Sequence, residues 1–241
     1  MNMGPFWIDM HTHTIVSGHA YGTIREMARA AADRGLKLLG ISEHGPGIPG
    51  TCNPFYFNNL GAVPRELFGV RLMLGCEINV GNHGELMLED QYLEKLDYAI
   101  AGIHMNCYSD QGRERNTDNL IACMANAKVS IVSHPDDDHT PLNYARLVTA
   151  AREYNVALEL NNSSLLKQDS RLNCVANYSR MLSLCMENRV PIIVNSDAHD
   201  PSWVGRFDEA RELLDAIGFE ERLILNRDWL AAEQFFSAVH S

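Results

Sequence analysis

Residues 191–199 read Pro-Ile-Ile-Val-Asn-Ser-Asp-Ala-His, an uninterrupted apolar run that ends in a carboxylate and an imidazole spaced two apart. A run that is apolar at nearly every position, instead of every second one, suits a strand buried on both faces, as in a parallel sheet packed under helices. Residues 129–135, Val-Ser-Ile-Val-Ser-His-Pro, repeat the pattern, again with a histidine where the apolar run stops.

Further runs of this kind lie at 6–10, 38–42, 72–77, 98–103 and 156–160. Helical patterns follow most of them, at 23–34, 91–96, 117–127, 142–154, 173–188 and 204–217, and 59–68 supplies the remaining helix. Gly35 stops the first helix where a positive φ is wanted. Thr117 caps the helix after it, and Pro141 suits the first turn of the next, where a missing N–H costs nothing. Residues 223–241 read as a short strand or turn and a terminal helix. Alternating strands and helices imply a helix-covered parallel sheet. Seven strand–helix units, not eight, imply a distorted, TIM-like (β/α)7 barrel, one domain across 1–241. An open doubly wound sheet is the alternative, but no G-x-G-x-x-G or P-loop follows any strand.

The chain has 241 residues, 46% hydrophobic and 21% charged, enough for a core that needs no staples. Its net charge of −11, from 31 acids and 20 bases, argues against nucleic acid or an anionic membrane as partner. A small anion remains compatible where bound cations invert the local potential. Cys52, Cys76, Cys107, Cys123, Cys174 and Cys185 form no C-x-x-C pair and suit reduced, partly buried thiols. No basic region precedes an apolar stretch at the N-terminus and no segment approaches 18 apolar residues, so a soluble, cytoplasmic protein is expected.

The chemistry sits where the apolar runs stop. His11 and His13 follow the first, His44 the second; Glu77 ends the third, His104 follows the fourth, His134 the fifth, and Asp197 and His199 the seventh. In a parallel barrel all of these ends open onto one face. In extended backbone a spacing of two points His11 with His13, and Asp197 with His199, to the same side. Imidazole and carboxylate are the ligands borderline divalent metals favour. A single histidine at a strand end is most often simply hydrogen-bonded. Burying the whole set without a cation would be costly.

With His19 added, the ordered pattern His11-x-His13, His19, His44, Glu77, His104, Ser133-His134-Pro135 and Ser196-Asp197-Ala198-His199 resembles the PHP family, named for polymerase-associated domains and histidinol phosphatase. Glu43-His44-Gly45-Pro46 and Glu159-Leu160-Asn161-Asn162-Ser163-Ser164 look closest to its stand-alone YcdX-type phosphatases. The resemblance implies a seven-stranded barrel and three divalent cations, zinc first, with manganese or iron also accepted by such ligands. It assigns His11, His13, Glu77 and Asp197 to one cation. Glu77 bridges to a second, with His104 and His134, and His19, His44 and His199 hold the third. It further implies hydrolysis of a small phosphorylated metabolite by metal-bound water, with Asp197 and His199 beside the reacting centre.

Outside this set, Arg206 near the start of the last barrel helix reads as a phosphate contact or a surface ion-pair partner. Asn161 and Asn162, ending the sixth strand, read as substrate contacts or supports of the ligands. Ser133 and Ser196 read as hydrogen-bonding groups without a dedicated base. His83, in a loop, and His139, after the acidic run 136–138, read as solvated, and His240 as irrelevant. Two alternatives stand: an amidohydrolase-like C–N hydrolase, and a non-catalytic polymerase-accessory module. No strand-end lysine matches the modified lysine usual in the first, and the complete ligand set disfavours the second. A homo-oligomer is compatible with either.

Overall fold

A computed structural model describes residues 3–238. Seven parallel strands run in the order β1 (Ile8–Asp9), β2 (Leu38–His44), β4 (Val70–Asn79), β5 (Tyr98–Gly102), β6 (Val129–Val132), β7 (Ala157–Asn161) and β8 (Ile192–Asn195). A two-residue strand, β3 (Glu66–Leu67), pairs antiparallel with β4. The result is a nearly closed, distorted TIM-like barrel.

Closure between β1 and β8 is made by side chains and a single backbone bridge. Thr12 bridges Ala198, and the His13 N–H donates to the Ala198 carbonyl at 2.8 Å. Below that point the Asn226 amide fills the seam. Its Nδ2 donates to the carbonyls of Ile8 (2.8 Å) and Val194 (2.7 Å), while its Oδ1 accepts from the Val194 N–H at 2.8 Å. Asp9 accepts from the N–H and hydroxyl of Ser196 and from the Gly205 N–H.

The barrel interior is filled by Ile8, Met10, Leu38, Met73, Ile100, Ile131 and Tyr98. Gly40 and Gly75 stand where a Cβ would collide with the Tyr98 ring, so their bareness lets that ring lie across the lumen and donate its hydroxyl to the Met10 carbonyl at 2.6 Å. Ala232 and Phe236 of the terminal helix α8 (Trp229–Ala238) close the bottom. The outer faces of the strands pack under α1 (Ile24–Asp33), α2 (Asp90–Leu93), α3 (Arg113–Met124), α4 (Tyr144–Tyr154), α5 (Asn162–Leu166), α6 (Cys174–Asn188) and α7 (Asp208–Ile217). None of the described helices is long and apolar enough to cross a membrane, and all six cysteines are free thiols, four of them buried.

Several local expectations are corrected. Residues 59–68 are not a helix: a 3-10 segment covers Pro54–Ala62, and Phe68 and Gly69, both at positive φ, turn β3 into β4. That is the geometry of a tight hairpin turn, hidden in sequence because phenylalanine rarely occupies it. Thr117 is interior to α3, its hydroxyl donating to the Arg113 carbonyl at 2.7 Å; Gly112 precedes the helix. Arg113, Glu114 and Arg115 are good helix formers and extend it backward by a turn. Asn143, not Pro141, opens α4, because its side chain accepts from the Arg146 N–H. The final barrel helix starts at Asp208 because Gly205 takes φ +68. Arg34 ends α1 and Gly35 follows at φ +77, as expected. His240 lies outside the described residues.

Candidate metal centre

The strand ends, with the loop that carries His19 after β1, deliver the nine residues to one mouth. His11 Nε2 lies 3.2 Å from Glu77 Oε2 and 3.6 Å from Asp197 Oδ1, and His13 Nε2 lies 3.6 and 3.3 Å from the same two oxygens. Four donors around a cation at the usual 2.0–2.2 Å stand about 3.3–3.6 Å apart when tetrahedral, so this quartet has the right size. The other Glu77 oxygen, Oε1, is 2.8 Å from His134 Nε2 and 3.3 Å from His104 Nε2. His19 and His199 face each other through Nε2 at 3.1 Å. His44 stands between the groups. Its ring lies 5.0 Å from that of His19, its Nδ1 is 3.0 Å from Glu77 Oε2, and it falls in one donor cluster with His13 and His199 and in another with Glu77 and His104.

Five of these rings are prepared by the atom behind them. His11 Nδ1 faces Glu159 Oε1 at 2.7 Å, and His104 Nδ1 faces Asn79 Oδ1 at 2.7 Å. His19 Nδ1 faces the Ser17 carbonyl (3.1 Å) and His199 Nδ1 the Asp197 carbonyl (3.0 Å). His13 Nδ1 lies 3.2 Å from the hydroxyl of Ser17, which donates its own proton to Glu43. Every one of these partners is an acceptor, so Nδ1 carries a proton and Nε2 is turned into the mouth. Imidazoles anchored this way are the usual companions of a bound cation.

The front atoms, by contrast, are unsatisfied. Nε2 of His11 and of His13, Nδ1 of His44 and Oε2 of Glu77 are buried without a hydrogen-bond partner. Such groups cost free energy unless a ligand occupies them. A divalent cation fits: the donor types, the spacing and the orphaned lone pairs all suit it.

Charge agrees with this. Burial opposes ionisation of Glu77 and Asp197, yet His11 above all, with neighbouring histidines, holds both well below the ordinary carboxylate range. Burial lowers the pKa of His13, His19, His134 and His199, leaving them neutral and able to ligate. His11 is the exception: burial opposes its charge, but Glu77, Glu159 and Asp197 together raise it well above the ordinary value. Two of the candidate ligands sit on strained backbone, His134 at φ +29 and Asp197 at φ +52. Asp197 is therefore not extended, and the spacing-of-two argument does not describe the 197–199 pair. Asp197 instead lies 3.4 Å from His199 through Oδ1 and Nδ1.

The remaining residues divide. Asn161 donates to Glu159 and Asp197 and caps α5, so its amide serves the carboxylates. Asn162 borders a cavity, but its amide is engaged by Glu209 and the Ala210 N–H. Arg206 borders the same cavity. Ser133 donates to Glu77 at 2.9 Å and Ser196 to Asp9. His83 is exposed, and His139 is an exposed partner of Asp137 at 2.7 Å. Sequence reasoning missed Glu159, Glu43 and Asn79 as the groups behind the ligands. For the two glutamates, a carboxylate inside an apolar run was the signal, since a buried charge demands a partner. It also missed Arg171, held by Asp136 at 2.8 Å, and Lys167, both at the mouth.

A family model described as PHP domain matches residues 9–163. A probable phosphatase of Clostridium novyi (strain NT) is 40% identical over 222 residues, 92% of this chain and 90% of that protein. The chain belongs to the PHP family. A further probable phosphatase, from Clostridium botulinum (strain Langeland), is 42% identical over 224 residues, 92% of this chain and 91% of that one. Among solved structures, the PHP chain shares its fold with histidinol phosphate phosphatase of Lactococcus lactis, solved with zinc, L-histidinol and phosphate. The TM-score there is 0.59 at 18% identity, over 88% of this chain and 94% of that chain. A chain of archaeal ribonuclease P bound to mature tRNA has the same fold, with a TM-score of 0.64 at 15% identity, over 96% of this chain and 90% of that one.

Proposed function

We propose that this PHP-family chain is a metal-dependent phosphatase that hydrolyses a small phosphate monoester at a centre of three divalent cations, zinc in the first instance. The observation that carries the reading is the set of orphaned front atoms on His11, His13, His44 and Glu77, with the rings of His11 and His13 fixed from behind. The family membership and the relatives named as phosphatases support the phosphate ester over other metal-assisted hydrolyses.

His11, His13, Glu77 and Asp197 would hold the first cation; Glu77, His104 and His134 the second; His19, His44 and His199 the third. Bound there, divalent cations supply Lewis acidity, bringing the pKa of water toward neutrality and neutralising phosphoryl charge. Glu77 and Asp197 remain ionised and offset that charge. Glu159, Asn79 and the Ser17–Glu43 pair face the Nδ1 atoms of His11, His104 and His13 and aim their Nε2 atoms into the mouth. Asp197 and His199 border the larger cavity, so as cation ligands they would also stand beside the bound ester. In this reading water supplies the attacking oxygen, while the Ser133 and Ser196 hydroxyls hold Glu77 and Asp9 in position.

The test is a panel of phosphate monoesters, phosphodiesters and cyclic amides offered to zinc- or manganese-loaded protein. Release of inorganic phosphate from monoesters is expected. Ring opening of a cyclic amide without phosphate release would favour the C–N hydrolase instead, and inertness toward every substrate would favour the accessory module.

A further inference from the structure

Resting on the phosphatase reading, we infer that the substrate carries a second anionic group beside the scissile phosphate, held by Lys167 and Arg206 on one side of the mouth. Two cavities meet at the ligands and share His19, His44, His104, His134 and Arg171, but their characters differ. One, about 420 Å³, is bordered by Asp136 and Asp137 and by apolar Ile48, Ile103 and Leu142. The other, about 660 Å³, is bordered by Lys167, Arg206, Leu166 and Trp203. An anion attached to a phosphate centred on the histidines meets no unpaired cation on the first side and two on the second.

The two cations are available. Lys167 directly follows α5 and Arg206 lies in the loop before α7; both are exposed. Among the described residues neither side chain makes a hydrogen bond or an ion pair, whereas Arg65, Arg71, Arg146, Arg171, Arg222 and Arg227 are each paired with a carboxylate. The guanidinium of Arg206 is steadied over the Trp203 ring, 4.8 Å from its centroid, which leaves its donors unspent. Arg171 does not fill this role alone, because Asp136 engages its Nη1. The scissile group has the cation centre; the unspent pair beside it fits a phosphate or carboxylate farther along the same molecule. Leu166 and Trp203, 46% and 43% exposed, offer an apolar surface for what joins the two.

Alkanediol monophosphates of increasing length, their bisphosphates and the matching ω-carboxylates provide the probes, read as kcat/KM for phosphate release by the metal-loaded protein. At the best length the doubly anionic esters should exceed the uncharged ones by about tenfold. Lys167→Ala or Arg206→Ala should cut that ratio about threefold or more, and the double variant should bring it near one. A larger gain from the bisphosphate identifies a second phosphate, and from the carboxylate a carboxylate. A ratio near one in the unaltered protein, or one unmoved by either substitution, would overturn the inference. Absence of phosphate release from every ester would instead strike the phosphatase reading. Calorimetric titration with alkane bisphosphonates then still decides: binding no tighter than the monophosphonates defeats the second anion site.

Discussion

Two buried polar clusters lie side by side within one barrel, and they are built on opposite rules. At the seam between β1 and β8, the Asn226 amide and the Asp9 carboxylate meet donors and acceptors at every oxygen and nitrogen. At the mouth, five of the imidazoles are fixed from behind, but bare atoms face forward on His11, His13, His44 and Glu77. Asn195 links the two, its Oδ1 accepting from the Met10 N–H at 2.8 Å and its Nδ2 donating to Glu159 at 2.8 Å. A cluster whose bonds close on themselves stabilises a structure; one that is closed behind and open in front awaits a ligand. Burial alone does not distinguish them, since both are removed from water.

That contrast can be broken at several points. Glu77→Gln removes charge from the open cluster, and turnover of a phosphate monoester should fall by about a thousandfold. The chelated variant should still unfold in urea near the concentration that unfolds the chelated parent. A large loss of stability there would mean that Glu77 is a structural residue. Asn226→Ala acts on the closed cluster. It leaves one N–H and two carbonyls buried without partners, and urea denaturation should show a loss of about 2–4 kcal/mol. Metal content per folded chain should be unchanged.

Glu159→Gln lies between these extremes, because Glu159 belongs to the back of the open cluster. Cation affinity should drop about 10–100-fold while the fold persists, as read by competition with a metal-sensitive dye. An unaltered affinity would remove Glu159 from the support of His11. The smallest effect is a proton. The carboxylates around His11 raise its pKa well above 6.5, so a cation must displace that proton, and loading should tighten as pH rises. In the cation-free protein the proton stabilises the fold. That contribution is fully present below 6.5 and is lost as pH rises through the higher folded value. Calorimetry in buffers of different ionisation enthalpy near neutral pH should detect about one proton released on saturation. Zero release, or binding insensitive to pH, would contradict the assignment.

The barrel was legible because its strands are continuous apolar runs that end in chemically distinctive residues. Reading 191–199 or 129–135 gives both a buried strand and what it delivers. The ring positions that meet at the mouth could be located the same way, because a parallel barrel puts all strand C-termini together. Three things had no such signal. The seam depends on Asn226, 218 residues from the Ile8 it bonds, in a stretch with no pattern of its own. The β3–β4 turn depends on Phe68 at φ +54, a conformation its side chain disfavours. Lys167 and Arg171 follow the short helix α5, which lies in a polar tract between two stronger patterns, so nothing local pointed them toward the mouth. Glu43 and Glu159 were legible in principle, as charges inside buried strands, but only to a reader who asks what must pair with them.

The most direct measurement is the metal content of folded protein, determined by elemental analysis after loading with zinc or manganese and exhaustive removal of free ions. If the open cluster is a cation centre, each chain should retain close to three divalent ions. Chelation should then abolish monoester hydrolysis, and restoring the ions should restore it. Protein that retains no ions from metal-replete buffer, or that turns over equally fast once verified metal-free, would contradict the account.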